Sequence, residues 1–272
     1  MATEQIPTSL IADDAITTAK VADDAITGAL IENNPTIAGN LSVAGTTTLT
    51  GALTGGGGYR LNSIQVFTTV GTNTWTKPTN VNAVLVYVTG GGGGGGAGTA
   101  NYNEGGGGHA GGTAIKWITP STSDGSNSFS SMSTVTVTVG NYGLGSSTGN
   151  GSIGGTSSFG NFCSATGGQG GRHAGNSAEY SEVGVGSGGD INIDGGFGDG
   201  HHTNNQADSG GPGNGGASFW GGGGGGANHY NTYYGTTGRA WGSGGGGGAH
   251  NSTHVAGKEG HEGIVIVWEY VG

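Results

Sequence analysis

Runs of glycine limit this chain more than any other feature of its sequence. Seven consecutive glycines occupy 90–96, four occupy 105–108, six occupy 221–226 and five occupy 244–248, with many single and paired glycines between them. With 68 glycines among 272 residues, one position in four has no side chain. An ordered glycine loses more backbone freedom than an alanine, at roughly 0.5–1 kcal/mol each. Two outcomes are physically coherent. The tracts are floppy linkers, or bare backbones lie side by side and exchange N–H···O=C bonds between neighbouring extended helices. A threefold polyproline-II-like helix has no internal hydrogen bonds, so each peptide group must find its partner on another segment. A side chain on every residue would block that approach. Loops this long are unusual inside one compact domain, and these tracts alternate with strand-like runs. The ordered reading is therefore the expectation.

The strand-like runs are Ile64–Val70, Val81–Val88, Thr113–Ile118, Thr134–Val139 and Gly263–Val271. Thr134 to Val139 alternates threonine and valine, as a strand buried on one face does. Ile264-Val265-Ile266-Val267-Trp268 is apolar throughout, which predicts a central strand covered on both faces. Trp75 and Lys77-Pro78 fall in an expected hairpin between the first two runs. No amphipathic helix is evident, so the class is all-β.

Three zones divide the chain. Residues 1–34 carry two in-register decamers, Ile11 to Lys20 and Val21 to Leu30, with six acids against one lysine. One decamer has too few apolar side chains for a core, so such repeats act as a solvated arm or gain stability by docking or assembly. Residues 35–58 hold Ile37, Leu41, Val43, Leu49 and Leu53 among threonine and glycine, which reads as a short β-rich stem ending in the hinge Gly55 to Gly58. Residues 59–272 form the large glycine-rich unit.

Composition removes several classes. Collagen needs glycine at every third residue, with abundant proline, and this chain has five prolines. Seven basic residues against 17 acidic ones, a net charge of −10, speak against nucleic acid as a partner. No apolar run reaches the ~20 residues of a membrane span, so membrane insertion is not expected. The start MATEQIPTSL lacks a basic and apolar leader. A single cysteine, Cys163, leaves no intrachain disulfide framework.

Phe67-Thr68-Thr69-Val70-Gly71-Thr72-Asn73-Thr74-Trp75-Thr76-Lys77-Pro78, followed by Val84 to Thr89 and a glycine run, resembles the glycine-rich C-terminal domain of bacteriophage tail fibres. Thr134 to Gly140, Gly155 to Gly160, Ser164 to Gly168 and the closing Gly263 to Tyr270 resemble it too, and the decamers are similar to repeats of cyanophage virion proteins. More distantly, the unit is similar to the glycine-rich ectodomain of anaplastic lymphoma kinase-type receptors. These resemblances imply a mainly β fold: a jelly-roll-like β-sandwich carrying a polyglycine-II helix bundle, preceded by an extended N-terminal arm and the short stem. They also imply a homotrimer in a virion, held by other virion proteins through residues 1–34 and binding a host surface glycan or protein distally.

Candidate contact residues are the aromatics and histidines beside the glycine tracts. Rings offer large contact area at low entropy cost, and loops on a rigid scaffold are where binding residues collect. Tyr102, His229, Tyr230, Tyr233, Tyr234, His201 and His202 are the candidates, whereas Trp220 and Trp241 are expected to pack. The other histidines, His109, His173, His250, His254 and His261, are expected in exposed connections, and no metal or other cofactor is expected. Asp190, Asp194 and Asp199 could be read as a calcium loop or glycosidase pair, but the EF-hand spacing is absent, and Ile191 and Ile193 are expected to pack in a structural connection. G-x-G-x-x-G is expected about four times by chance at this glycine content, so matches to it carry no weight. Gly257-Lys258-Glu259 lacks the Ser or Thr of a phosphate loop. The expected function is non-enzymatic: a fibre or adhesin subunit adsorbing to a host cell. The alternatives are a capsid-decorating or tail-cementing fibre and, least supported, a glycan depolymerase.

Overall fold

The computed structural model describes residues 58–99, 104–173, 182–200, 211–227, 235–249 and 255–272. The arm and almost all of the stem, residues 1–57, lie outside the described residues. What is described is a mainly β-sheet unit with one 3-10 turn, Phe129–Ser131.

Ten strands make two five-stranded antiparallel sheets packed face to face as a sandwich. They are β1 Arg60–Phe67, β2 Gly71–Thr76, β3 Ala83–Thr89, β4 Thr113–Ile118, β5 Thr134–Val139, β6 Ser157–Phe159, β7 Cys163–Ala165, β8 Gly186–Ser187, β9 Ile191–Ile193 and β10 Ile264–Val271. The first sheet has the order β1-β10-β3-β4-β9 and the second β2-β5-β6-β7-β8. The expected hairpin around Trp75 is corrected: Trp75 lies in β2, which pairs with β5 in the second sheet, while β1 pairs with β10 in the first. Gly-Thr-Asn-Thr-Trp-Thr offers one large apolar side chain, so its periodicity gives little sign of a strand.

Between the sheets, Val84, Val86, Val88, Val265 and Val267 meet Trp75, Val135, Val137, Phe159 and Cys163. Trp75 is fully buried between Phe129, with ring centroids 5.9 Å apart, and Phe159 at 5.6 Å.

The outward faces of the two sheets differ in chemistry. Register places Val66, Ile266, Tyr87, Ile115 and Ile191 in one row across all five strands of the first sheet, with Ile64, Trp268, Leu85 and Trp117 in the next. On the second sheet the matching row is Thr72, Thr138, Ser158, Ser164 and Ser187, all hydroxyls. Thr134 to Val139 therefore behaves as its alternation predicts. β10 is interior to its sheet as predicted, but only its inner face is covered by the second sheet.

Glycine segments leave the strand ends and return to them. Residues 90–98 run out from β3, and 104–112 come back to β4. All of 90–98 is buried, and its hydrogen bonds repeat with a period of three. The N–H groups of Gly90, Gly93 and Gly96 donate to the carbonyls of Gly112, His109 and Gly106. Those of Gly91, Gly94 and Ala97 donate to Gly155, Ser152 and Gly149, and those of Gly92, Gly95 and Gly98 to His261, Lys258 and Val255. The carbonyls point to three further segments: Gly91 and Gly94 accept from Gly168 and Gly171, Gly92 and Gly95 from Gly143 and Ser146, and Gly93 and Gly96 from Gly245 and Gly248. One buried segment thus bonds laterally to six neighbours, three antiparallel and three parallel. Successive peptide groups turning by a third of a revolution is what a threefold extended helix imposes.

Close approach explains the glycines. A Cβ on Gly91, Gly92, Gly93, Gly94, Gly95 or Gly96 would stand well inside 3.0 Å of a neighbouring carbonyl oxygen. The tract 244–248 is as crowded, and so are Gly223, Gly224 and Gly226, whereas Gly222 has nothing within 4 Å of such an atom.

Candidate functional site at the far end of the glycine bundle

Because outgoing and returning segments are antiparallel, several described segments end in one layer of the bundle away from the sheets. Hydrogen bonds fix that layer: Gly98 N–H to the Val255 carbonyl at 3.2 Å, Ala97 to Gly149 at 3.0 Å and Gly106 to Arg172 at 2.9 Å. Gly105 bonds Gly248 at 2.8 Å, Gly107 bonds Asp199 at 3.0 Å and Ala227 bonds Gly247 at 3.2 Å. All of these but Gly149 lie beside the segments 100–103, 201–210, 228–234 and 250–254 or, for Arg172, before the segment 174–181, whose other flank, Gly184, bonds Ala110 nearer the sheets. All seven contact candidates, Tyr102, His201, His202, His229, Tyr230, Tyr233 and Tyr234, lie in those segments, outside the described residues. So do His250 and His254.

The described part of this end contains groups that the residue pattern did not single out. Glu104 is almost fully buried at the start of 104–112, and burial raises its carboxyl to about 7. His109, five residues further along, corrects the expectation of exposed histidines: it is 2% exposed and packs edge-on against Phe197 at 5.5 Å. Burial first, and the Arg172 charge second, hold its pKa below the usual range, so the ring is neutral. Asp199 accepts from the Asn214 side-chain amide at 2.8 Å, tying two segments together. Nothing in the sequence beyond one acid before a glycine run marks Glu104.

Trp220 and Trp241 pack as expected. The Trp220 indole N–H donates to the Thr89 hydroxyl at 2.9 Å, and Trp241 meets the His261 ring at 4.6 Å. Asp190 is a structural group: it accepts from the Trp117 backbone N–H at 2.8 Å, its own N–H bonds the Ile115 carbonyl, and Lys116 stands 3.9 Å away. Of the two isoleucines expected to pack beside it, Ile193 is half-buried but Ile191 is exposed. Cys163 is a core residue whose thiol burial pushes up to about 12, so it is protonated at neutral pH. Among the described residues no group of three or more His, Cys, Asp or Glu could hold a metal ion. No helix of the described residues is long and apolar enough to cross a membrane.

A family model described as a glycine-rich domain matches residues 68–270, from the end of β1 to the closing strand. The chain belongs to this glycine-rich domain family. The match spans three quarters of its length and takes in every described strand after β1, together with the lateral hydrogen-bond array. No curated protein matches the chain. In the described residues the domain is a sandwich from whose strand ends a glycine-rich, laterally bonded bundle projects.

Proposed function

We propose that this chain is a subunit of a virion fibre or adhesin that adsorbs, without covalent chemistry, to a host-surface glycan or protein through the connections at the far end of the glycine bundle. The observation that carries this reading is the gathering, in one layer, of the residues that enter and leave four connections, 100–103, 201–210, 228–234 and 250–254. Connections anchored on a rigid array lose little entropy on binding. Their sequences hold Tyr102, Tyr230, Tyr233, Tyr234, His201, His202 and His229, side chains suited to stacking on sugar rings and to hydrogen bonding. Residues 1–34 would attach the subunit to other virion proteins, and several copies per particle would multiply weak contacts. The tail-fibre resemblance of 67–78, 134–140 and 263–270 supports the virion setting, including the trimeric assembly it implies.

The test is adsorption of labelled full-length protein to candidate host cells, compared with a variant carrying Tyr230→Ala, Tyr233→Ala and Tyr234→Ala. The proposal expects binding to fall at least tenfold with an unchanged melting temperature. Unchanged adsorption removes this connection from the contact surface. Absence of adsorption by the parent protein to every candidate host favours a purely structural, decorating role.

A further inference from the structure

We propose that a groove beside the start of β5 is a binding site of its own, one that takes a neutral, hydroxyl-rich ring such as a sugar residue of a glycan. It is lined by Thr134, Val135 and Thr136 at that start. The other end of β5 runs through Gly140 into the glycine segments, so the groove lies at the end of the sandwich away from the bundle. It is therefore separate from the contact surface proposed above and does not depend on it.

The groove has a volume of about 430 Å³, within the range of small-molecule sites. Two turns complete it. In the connection from β4 to β5, Oδ1 of Asp124 accepts from the N–H groups of Asn127 at 2.8 Å and Ser126 at 2.9 Å, and the Asp124 N–H donates to the Asn127 carbonyl at 3.1 Å. Between β6 and β7, the Phe162 N–H donates to the Phe159 carbonyl at 3.1 Å, and the Gly160 N–H seats this turn on β5 through the Thr136 carbonyl at 2.7 Å. Gly160 also keeps the groove open. Its φ of +50° is left-handed, and a Cβ there would stand 2.9 Å from a Val135 methyl and 3.8 Å from the Phe162 ring.

The polar lining is Asp124, Asn127, Thr134, Thr136, Ser158 and Asn161. Among the described residues, only Oδ1 of Asp124 in this set spends a side-chain hydrogen bond within the protein. The remaining carboxylate oxygen, two amides and three hydroxyls supply both donors and acceptors, which is what a polyol needs, because each of its hydroxyls gives one hydrogen bond and takes others. Met132 and Phe162 add apolar surface for the C–H face of a ring. Other ligand classes fit less well. No lysine or arginine lines the groove, and the Asn127 and Ser126 N–H groups hold the Asp124 carboxyl below the usual carboxylate range, so an anion would meet a negative charge. A divalent cation would find a single carboxylate.

The test titrates the 15N-labelled full-length protein with the methyl glycosides of glucose, galactose, mannose and N-acetylglucosamine at millimolar concentration, followed by NMR. At least one glycoside is expected to shift the backbone signals of 124–127, 134–136 and 158–162 and the side-chain amides of Asn127 and Asn161. Thr136→Val with Asn161→Ala removes a hydroxyl and an amide at exposed positions. This variant is expected to melt as the parent does and to bind the same glycoside at least about tenfold more weakly. The variant with Tyr230→Ala, Tyr233→Ala and Tyr234→Ala is expected to bind it unchanged, which separates this groove from the bundle's far end. No shift with any of the glycosides would overturn the proposal. So would shifts confined to other residues, or equal affinity in the Thr136→Val/Asn161→Ala variant.

Discussion

The indole N–H of Trp75 donates to Oε1 of Glu269 at 2.7 Å across the sandwich, joining the end of β2 in one sheet to β10 in the other. The same carboxylate accepts from the Gln65 amide at 2.5 Å and from the Ser63 hydroxyl, both on β1. Glu269 is 1% exposed, so these donors stand in for water.

Trp75→Phe keeps most of the ring volume and removes one of those donors. The expected cost is about 1–3 kcal/mol, the penalty of an under-satisfied buried acceptor. Urea unfolding of the single variants and of Trp75→Phe/Glu269→Gln should show a coupling energy of about 1 kcal/mol. Additive effects would mean that the bond does not link the sheets energetically.

Substituting glycine by alanine should have opposite outcomes at two tract positions. At Gly92 the new methyl would meet the Ser243 carbonyl well inside 3.0 Å, and both partners are backbone held by further bonds. Gly92→Ala is expected to cost about 2–3 kcal/mol. At Gly222, where the space is open, alanine is expected to be neutral or to stabilise by up to about 1 kcal/mol through the unfolded chain. Melting temperatures of the two variants check this. A similar loss at both would mean that glycine is needed for its backbone freedom and not for lateral contact.

Glu104 makes stability depend on pH. In the folded chain its proton is held up to about 7, while in the unfolded chain it leaves near 4.5. Between those values the folded state binds more protons, so this group lowers stability as pH rises through that window. Glu104→Gln should flatten this contribution, seen as a smaller drop in urea midpoint from pH 4.5 to 7 than in the parent. An identical drop would place the pH dependence elsewhere.

How much was legible beforehand depended on whether residue types differ along a segment. Thr134 to Val139 and Ile264 to Trp268 announce themselves because their side chains alternate or stay apolar. Ser157–Phe159, Cys163–Ala165 and Ile191–Ile193 are three residues long, too short for a period, and exist because neighbouring strands pair with them. Trp75 falls in the expected hairpin, and not in a strand of its own, because the threonines, asparagine and glycine around it leave a single large apolar side chain in Gly71–Thr76. The tracts gave their class but not their partners, since identical glycines carry no register. That Gly93 bonds His109 and Gly245 is set by where the strands deliver each segment. At the far end, the aromatic and histidine pattern was visible in the sequence, but the burial of Glu104 and His109 was not, because one polar residue beside a glycine run has no periodic context.

Amide hydrogen exchange of the full-length protein tests most directly whether laterally bonded bare backbone makes the bundle rigid. The N–H groups of 90–98 and 244–248 all donate to a neighbouring segment and are buried. They should exchange as slowly as those of Val265 and Val267 in β10, near the rate of global unfolding. Exchange at the rate of an unstructured peptide in either tract, with β10 still protected, would contradict the account.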